Sequence, residues 1–202
     1  MGQRLPVGSL ALQHGVSKTP VGEALSSLQH EGLVRTVPRV GYFVAEMSLE
    51  QVQNLFQLRL ILEGASAELA ARHITDQELL DLERIPCSWV LGNVDSCLQY
   101  LADNRAFHCG IAAAARNSEL MELVGKILDQ TQALLLWELQ LRNRPAEFAD
   151  EHRQLVASLR SHDGVQARQA MVQAIETTRQ ALLGTLMAGT SLPIVSADKT
   201  AH

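Results

Sequence analysis

The segment GVSKTPVGEALSSLQHEGLV, residues 15–34, reads as a turn, one helix and a stop. Gly15 supplies a sharp turn, Thr19 can cap the helix, and Pro20 suits its first position, where a missing N–H costs nothing. Gly32 is the expected end of the helix. An apolar stripe at helical spacing lies between these signals, formed by Val21, Ala24, Leu25 and Leu28. The segment therefore predicts a short amphipathic helix.

The sequence on either side adds further elements. Residues 7–14, VGSLALQH, predict a short helix, and residues 33–45, LVRTVPRVGYFVA, predict two strands joined by a turn at PRVG. Helix, turn, helix and hairpin is the order of the winged helix-turn-helix motif. In that motif the second helix enters the major groove of DNA, and the hairpin, or wing, lies against the backbone or the minor groove.

From Ser48 onward the apolar spacing is helical throughout. The predicted helices span residues 48–73, 75–84, 95–115, 118–143, 145–161 and 164–189. Short links join them, which predicts an all-α antiparallel six-helix bundle. The predicted fold class is mostly α, with a partial winged helix-turn-helix followed by this bundle. The predicted parts are a DNA-binding domain at 1–47, the bundle at 48–188 and a flexible tail at 189–202.

Composition and charge agree with this division. Aromatic residues make up only 4% of the chain, and the net charge is −5. Residues 1–47 hold four Lys or Arg against three acids, whereas the remainder holds 13 against 19. This asymmetry suits a DNA-facing part attached to an acidic partner domain.

Residues 15–44 resemble the GntR family of bacterial transcription regulators. The matching positions are Gly15, Val16, Ser17, Thr19, Pro20, Val21, Glu23, Ala24, Leu25, Leu28, Gly32, Leu33, Gly41 and Val44. The resemblance implies that Ser17, Lys18 and Thr19 contact DNA at the start of the recognition helix. It implies further DNA contacts from Arg39 and Gly41 in the wing.

Two departures from the family pattern concern this DNA-binding domain. The family has a complete first helix and a short strand ahead of the LP of QRLP, and we expect this chain to start too late to contain them. Leu25 and Leu28 should then be poorly covered. The family also has Arg at the position of Gly22, where Gly removes a charge that helps to hold DNA. The alternative is that residues 1–47 serve only as a helical cap on the larger domain.

The bundle resembles the FCD ligand-sensing domain of the FadR branch of the same family. The resemblance rests on LRLILEGASAELAA, on NRAFHCGIAAAARNSELMELV and on EHRQLVASLRSHDGVQARQAM, and it covers about residues 48–188. It implies a homodimer in which the bundle binds a small effector, chiefly a carboxylic acid. Ligand binding would shift the helices and change the affinity for operator DNA.

Many FCD domains hold a divalent metal, and the resemblance assigns its ligands here to His108, His152 and Asn104. The family has Asp where this chain has Asn104, and its remaining His position falls on Ala174, which offers no ligand atom. One Zn²⁺, Ni²⁺ or Mn²⁺ is thus a candidate cofactor, although two His and one Asn are few ligands for tight binding.

Two other interpretations of these residues stay open. His108 and His152 can be core histidines satisfied by hydrogen bonds. They can also line a metal-free cavity that binds a carboxylate together with Arg59, whose guanidinium suits bidentate pairing. Arg59 can instead pair with Glu63, four residues along the same helix.

Other protein classes find no support in the sequence. Cys87, Cys97 and Cys109 lack metal spacing and are expected to be reduced thiols of a cytoplasmic protein, and no run of 18 apolar residues predicts a membrane span. Nucleotide-binding, hydrolase and metalloprotease motifs are absent from the sequence, so we expect no enzyme. The predicted function is a ligand-responsive DNA-binding regulator. The alternative is a metabolite-binding helical dimer that has lost DNA binding.

Overall fold

The computed structural model describes residues 2–30, 32–45, 47–141 and 145–187. The chain divides into two compact units, with the boundary between Glu50 and Gln51. The tail predicted at 189–202 lies outside the described residues. Both units have the element types that the sequence predicts, and the fold is mostly helical.

The N-terminal unit is a winged helix-turn-helix with a three-stranded sheet. Its elements are β1 (Arg4–Leu5), α1 (Val7–Gln13), α2 (Lys18–His30), β2 (Val34–Val37) and β3 (Gly41–Val44). The strands are antiparallel in the order β1-β3-β2, with Arg4 opposite Phe43 and Thr36 opposite Tyr42. The expectation that this chain lacks the short strand was wrong, because β1 is that strand.

Glycine ends both helices of this unit, as predicted. Gly15 and Gly32 have φ of 65° and 80°, a conformation that costs glycine little. The Leu33 N–H donates to the Leu28 carbonyl at 2.9 Å, and Gly32 N–H donates to the Gln29 carbonyl at 3.0 Å, which is a Schellman motif. The predicted cap was wrong, because α2 already begins at Lys18 and both Thr19 and Pro20 lie inside it.

Leu25 is buried at 5% exposure, so the expectation that it is poorly covered was wrong. Ala11, Val34 and Phe43 are the other buried apolar residues described in this unit. Leu28 is half-buried. A surface groove of about 300 Å³ nevertheless runs beside Leu25 between α1 and α2, and it is lined mostly by apolar side chains.

The second unit is the predicted helical bundle. In the described part of residues 49–187 its helices are α3 (Leu49–His73), α4 (Asp76–Arg84), α5 (Val94–Ala114), α6 (Ser118–Leu141), α7 (Pro145–Arg160) and α8 (Gly164–Met187). Short links make α5 with α6, and α7 with α8, packed helical hairpins. α4 contacts α5 and α7, and α8 also contacts α6.

Local signals position the bundle helices. Thr75 and Glu78 form a capping box at the start of α4, in which each side chain bonds the other residue's backbone N–H. Gly64 of α3 lets α8 approach closely, because a Cβ there would lie 3.2 Å from a Val172 methyl. α3 is thereby packed among the other helices, and its polar residues Arg59 and Glu63 are buried in the bundle.

Candidate functional site

The five predicted DNA contacts all lie in the N-terminal unit. Ser17, Lys18 and Thr19 are exposed at the start of α2, and Arg39 is exposed in the turn of the wing. Arg39 and Gly41 both have positive φ, 64° and 127°, so the wing turns sharply there. These placements leave the five residues accessible to DNA.

Two further arginines support the wing. The Arg4 guanidinium donates to the Val40 carbonyl at 2.9 Å and so braces the turn from β1. The Arg35 guanidinium lies over the Phe43 ring, 5.1 Å from its centroid. Both add positive charge to the hairpin, and the sequence analysis had not singled them out.

A small cavity lies at the centre of the second unit, between α3, α5, α6, α7 and α8. Its volume is about 30 Å³, measured as the space open to the centre of a water molecule. The residues proposed from the sequence all line it together with Ala174: Arg59, Asn104, His108 and His152. Glu138 and Glu151 also line it, so the cavity carries groups of both signs.

Arg59, Glu63 and His108 form a buried polar cluster beside this cavity. Arg59 Nε donates to Glu63 Oε1 at 2.6 Å, and His108 Nδ1 lies 2.5 Å from the other carboxylate oxygen. The three side chains are only 3%, 1% and 7% exposed. Burial opposes ionisation of Glu63, but Arg59 and His108 outweigh it and lower the pKa of this carboxyl to about 2. The predicted Arg59–Glu63 pair is thus present, and Glu63 stays ionised.

Glu63 does not satisfy the whole Arg59 guanidinium. Within the described ranges, the Nη1 atom of Arg59 is buried and has no hydrogen-bond partner. A buried charged donor without an acceptor is costly, and a carboxylate in the cavity would supply one.

His152 is held as a neutral ring. Burial, with a smaller contribution from His108, lowers the pKa of His152 to about 3. Its Nε2 lies 3.2 Å from Asn104 Oδ1 and donates to it in this neutral form. The ring also stacks on Phe107, with centroids 3.9 Å apart and planes 8° from parallel.

Comparison with known proteins agrees with both units. Residues 1–44 match the bacterial regulatory proteins of the gntR family, and residues 54–177 match the FCD domain. The chain belongs to the GntR family and carries an FCD domain. Its fold and domain order are those that the resemblance in the sequence implied.

Several curated regulators of this family are similar to the chain. The Nta operon transcriptional regulator of Aminobacter aminovorans is 30% identical over 129 residues, which cover 64% of this chain and 61% of that relative. The Uxu operon transcriptional regulator of Escherichia coli is 29% identical over 210 residues, covering 90% and 79%. LutR of Bacillus subtilis is 29% identical over 201 residues, covering 88% and 90%.

Solved GntR-family structures share the fold. The Escherichia coli McbR/YncC structure matches with a TM-score of 0.75 at 23% identity, covering 92% of this chain and 89% of that one. A GntR regulator from Rhodococcus sp. RHA1 matches with a TM-score of 0.71 at 17% identity, covering 91% and 88%. Within the described ranges, the helices are too short or too polar to cross a membrane.

The residues of this FCD domain do not fit a tightly held divalent metal. His108, His152 and Asn104 do line one cavity, but Ala174 contributes only a methyl group there. The amide oxygen of Asn104 is neutral and already accepts from His152. Arg59 lines the same small cavity, and its guanidinium has no lone pair with which to bind a cation. Among the residues that the structure describes, His, Cys, Asp and Glu form no group of three or more suited to a metal.

Sequence reasoning missed several residues of this FCD cavity. They are Tyr100, Leu101, Leu135, Glu138, Leu139, Phe148, Glu151, Ile175 and Thr178. A spacing of four residues along one helix face could have found some of them, since it links Tyr100 to Asn104 and His108. The same spacing links Phe148 to His152. Nothing in the sequence places Glu138 on α6 beside the other residues of this cavity.

Proposed function

We propose that this protein is a DNA-binding transcription regulator whose FCD bundle senses a small carboxylate. The observation that carries the proposal is the buried, unpartnered Nη1 atom of Arg59 beside a cavity at the centre of the bundle. A ligand carboxylate would accept from Nη1, with His108 beside it. Glu138 and Glu151 also line the cavity and would repel the carboxylate, which favours the orientation towards Arg59.

The proposed DNA contacts are Ser17, Lys18 and Thr19 on α2, with Arg39 and Gly41 in the wing. Exposure of Lys18 and Arg39 supports their use as phosphate contacts. A homodimer would present two such units to a palindromic operator. Ligand binding in the bundle would change their spacing or orientation, and linkage then requires that DNA changes the affinity for the ligand equally.

The second candidate is a carboxylate-binding dimer that has lost DNA binding. Gly22 favours it, because this position of α2 carries no charge, and the net charge of −5 opposes DNA binding elsewhere. The two functions share the bundle site and differ only in the N-terminal unit. Binding to duplex DNA therefore separates them.

The experiment for the bundle site is a thermal-shift titration of the full chain with propionate and succinate. Arg59→Lys keeps the positive charge beside Glu63 and loses the planar fork, so the variant should fold and bind about tenfold more weakly. Arg72→Lys is the matched control, because Arg72 lies on the same helix, is 60% exposed and pairs with Glu68. Equal affinity in the wild type and Arg59→Lys would overturn the proposed site.

The experiment for DNA binding compares Lys18→Ala with the wild type on duplex DNA. Loss of one phosphate contact should lower the steepness of the salt dependence of binding by about one unit. Glu23→Ala, also on α2, is the control, because it removes a negative charge where Lys18→Ala removes a positive one. Unchanged binding in Lys18→Ala would remove this residue from the interface.

A further inference from the structure

A second and larger cavity lies beside the central one. Its volume is about 660 Å³, measured as the space open to the centre of a water molecule. It lies between α4, α5, α7 and the segment that follows α4. Its apolar lining comes from Leu82, Ile85, Phe107, Val156 and Ala157.

The charged groups at this second cavity are paired with each other or with a neighbour. Arg160 donates to Glu83 at 2.6 Å, and Arg153 pairs with Asp150. The second cavity therefore offers apolar surface and charged groups that already have partners. The central cavity differs, because the Nη1 atom of Arg59 has no hydrogen-bond partner there.

His152 is the wall that the two cavities share. Its side chain lines both of them, and Phe107, on which its ring stacks, lines the second. The contacts described for the ring are that stack, an edge contact with His108 and the hydrogen bond to Asn104. His152 is thus the lining residue that the two cavities have in common.

The sizes of the cavities favour a ligand that uses both. The central cavity, at about 30 Å³, has room for one or two waters or for a small polar group. The second has the size that is usual for small-molecule sites, which are mostly apolar with a few polar groups that fix orientation. The central cavity has the unsatisfied Arg59 atom but no room for an apolar tail, and the second cavity has that room but no unsatisfied cation among its described side chains.

We propose that one amphipathic carboxylic acid spans both cavities, with its carboxylate on Arg59 and its apolar tail between α4, α5 and α7. His152 turns aside on binding and lets the ligand pass. The proposal rests on the proposed carboxylate site at Arg59 and names the class of effector for it. It also implies that short carboxylates bind only weakly, because they leave the apolar cavity unused.

The test is a thermal-shift titration of the full chain with unbranched monocarboxylates from acetate to octanoate. In the wild type the affinity should rise about fourfold for each methylene that enters the second cavity. Ala157→Trp fills that cavity from an exposed position on α7, so the variant should fold, bind acetate and propionate normally and lose the gain with length. Ala146→Trp, also exposed on α7 but not lining either cavity, should behave like the wild type.

The outcomes separate this inference from the function on which it rests. If acetate and propionate bind through Arg59 but affinity does not rise with length, the composite site is overturned and the carboxylate site stands. An undiminished gain with length in Ala157→Trp also overturns the composite site. If no acid binds in an Arg59-dependent way, both proposals fail.

Discussion

Restoring a positive charge at Gly22 should strengthen DNA binding. Gly22 lies four residues after Lys18 on α2, so the two positions share one face of the helix. A Cβ built at Gly22 meets no atom within 4 Å, and the residue has no positive φ that would strain a side chain. Gly22→Arg should therefore be accommodated without a steric cost.

The expected magnitude has two parts. Replacing Gly by Arg inside a helix should stabilise the fold by about 0.7 kcal/mol. One added phosphate contact should steepen the salt dependence by about 0.9 units, which corresponds to about tenfold tighter binding at low salt. Raising the salt from about 50 to about 200 mM should then remove about threefold of that gain.

The assay is fluorescence anisotropy of a labelled duplex, titrated with the full chain at several salt concentrations. Gly22→Gln is the matched control, because Gln has nearly the helix propensity of Arg and carries no charge. Both variants should unfold at a higher temperature than the wild type, and only Gly22→Arg should bind DNA more tightly. If both variants have the same affinity and the same salt slope, this face of α2 does not meet DNA.

Three further predictions concern the bundle. Because the pKa of His152 is lowered from 6.5 to about 3 in the folded state, the unfolded state takes up the proton first as the pH falls, and stability is lost. Between about pH 8 and pH 5 the wild type should lose about 2 kcal/mol more than His152→Gln in urea unfolding, and parallel curves would contradict the buried neutral ring. Glu63→Gln leaves Arg59 buried without a counter-ion and should lower the free energy of unfolding by about 3–5 kcal/mol, whereas an effect below about 1 kcal/mol would mean that the cluster is hydrated. Asn104→Asp combined with Ala174→His should create a metal site. Elemental analysis after dialysis should then find about one equivalent of Zn²⁺ per chain in this variant and well below one in the wild type. Equal metal content in both would contradict the conclusion that the wild-type residues do not hold a divalent metal tightly.

The elements were predictable because their signals are local. The apolar stripe of α2, the glycines that end α1 and α2 and the capping box at Thr75 each depend on residues within one or two turns. The start of α2 was placed two residues late, because Pro20 is a strong signal for the first position of a helix and lies two residues after Lys18. Strand β1 has only two residues and forms by pairing with β3, so its own sequence carries no period.

The site was only partly predictable, because it depends on contacts between helices. The Arg59–Glu63 pair follows from a spacing of four residues on α3. The contact of His108 with Glu63 joins α5 to α3, and the cavity residues Glu138 and Thr178 come from α6 and α8. No periodicity within one helix encodes such contacts. The unpartnered Nη1 atom of Arg59 appears only once all of its neighbours are in place.

The most direct test of a ligand-responsive regulator measures DNA affinity with and without the carboxylate. The duplex would be one that the wild-type chain selects from fragmented genomic DNA. The ligand would be the monocarboxylate that binds most tightly in the series from acetate to octanoate. The account predicts that saturating ligand changes the dissociation constant for DNA by about 5-fold to 150-fold in the wild type, and that the same concentration has little effect in Arg59→Lys. A carboxylate that binds at Arg59 and leaves the DNA affinity unchanged would contradict it.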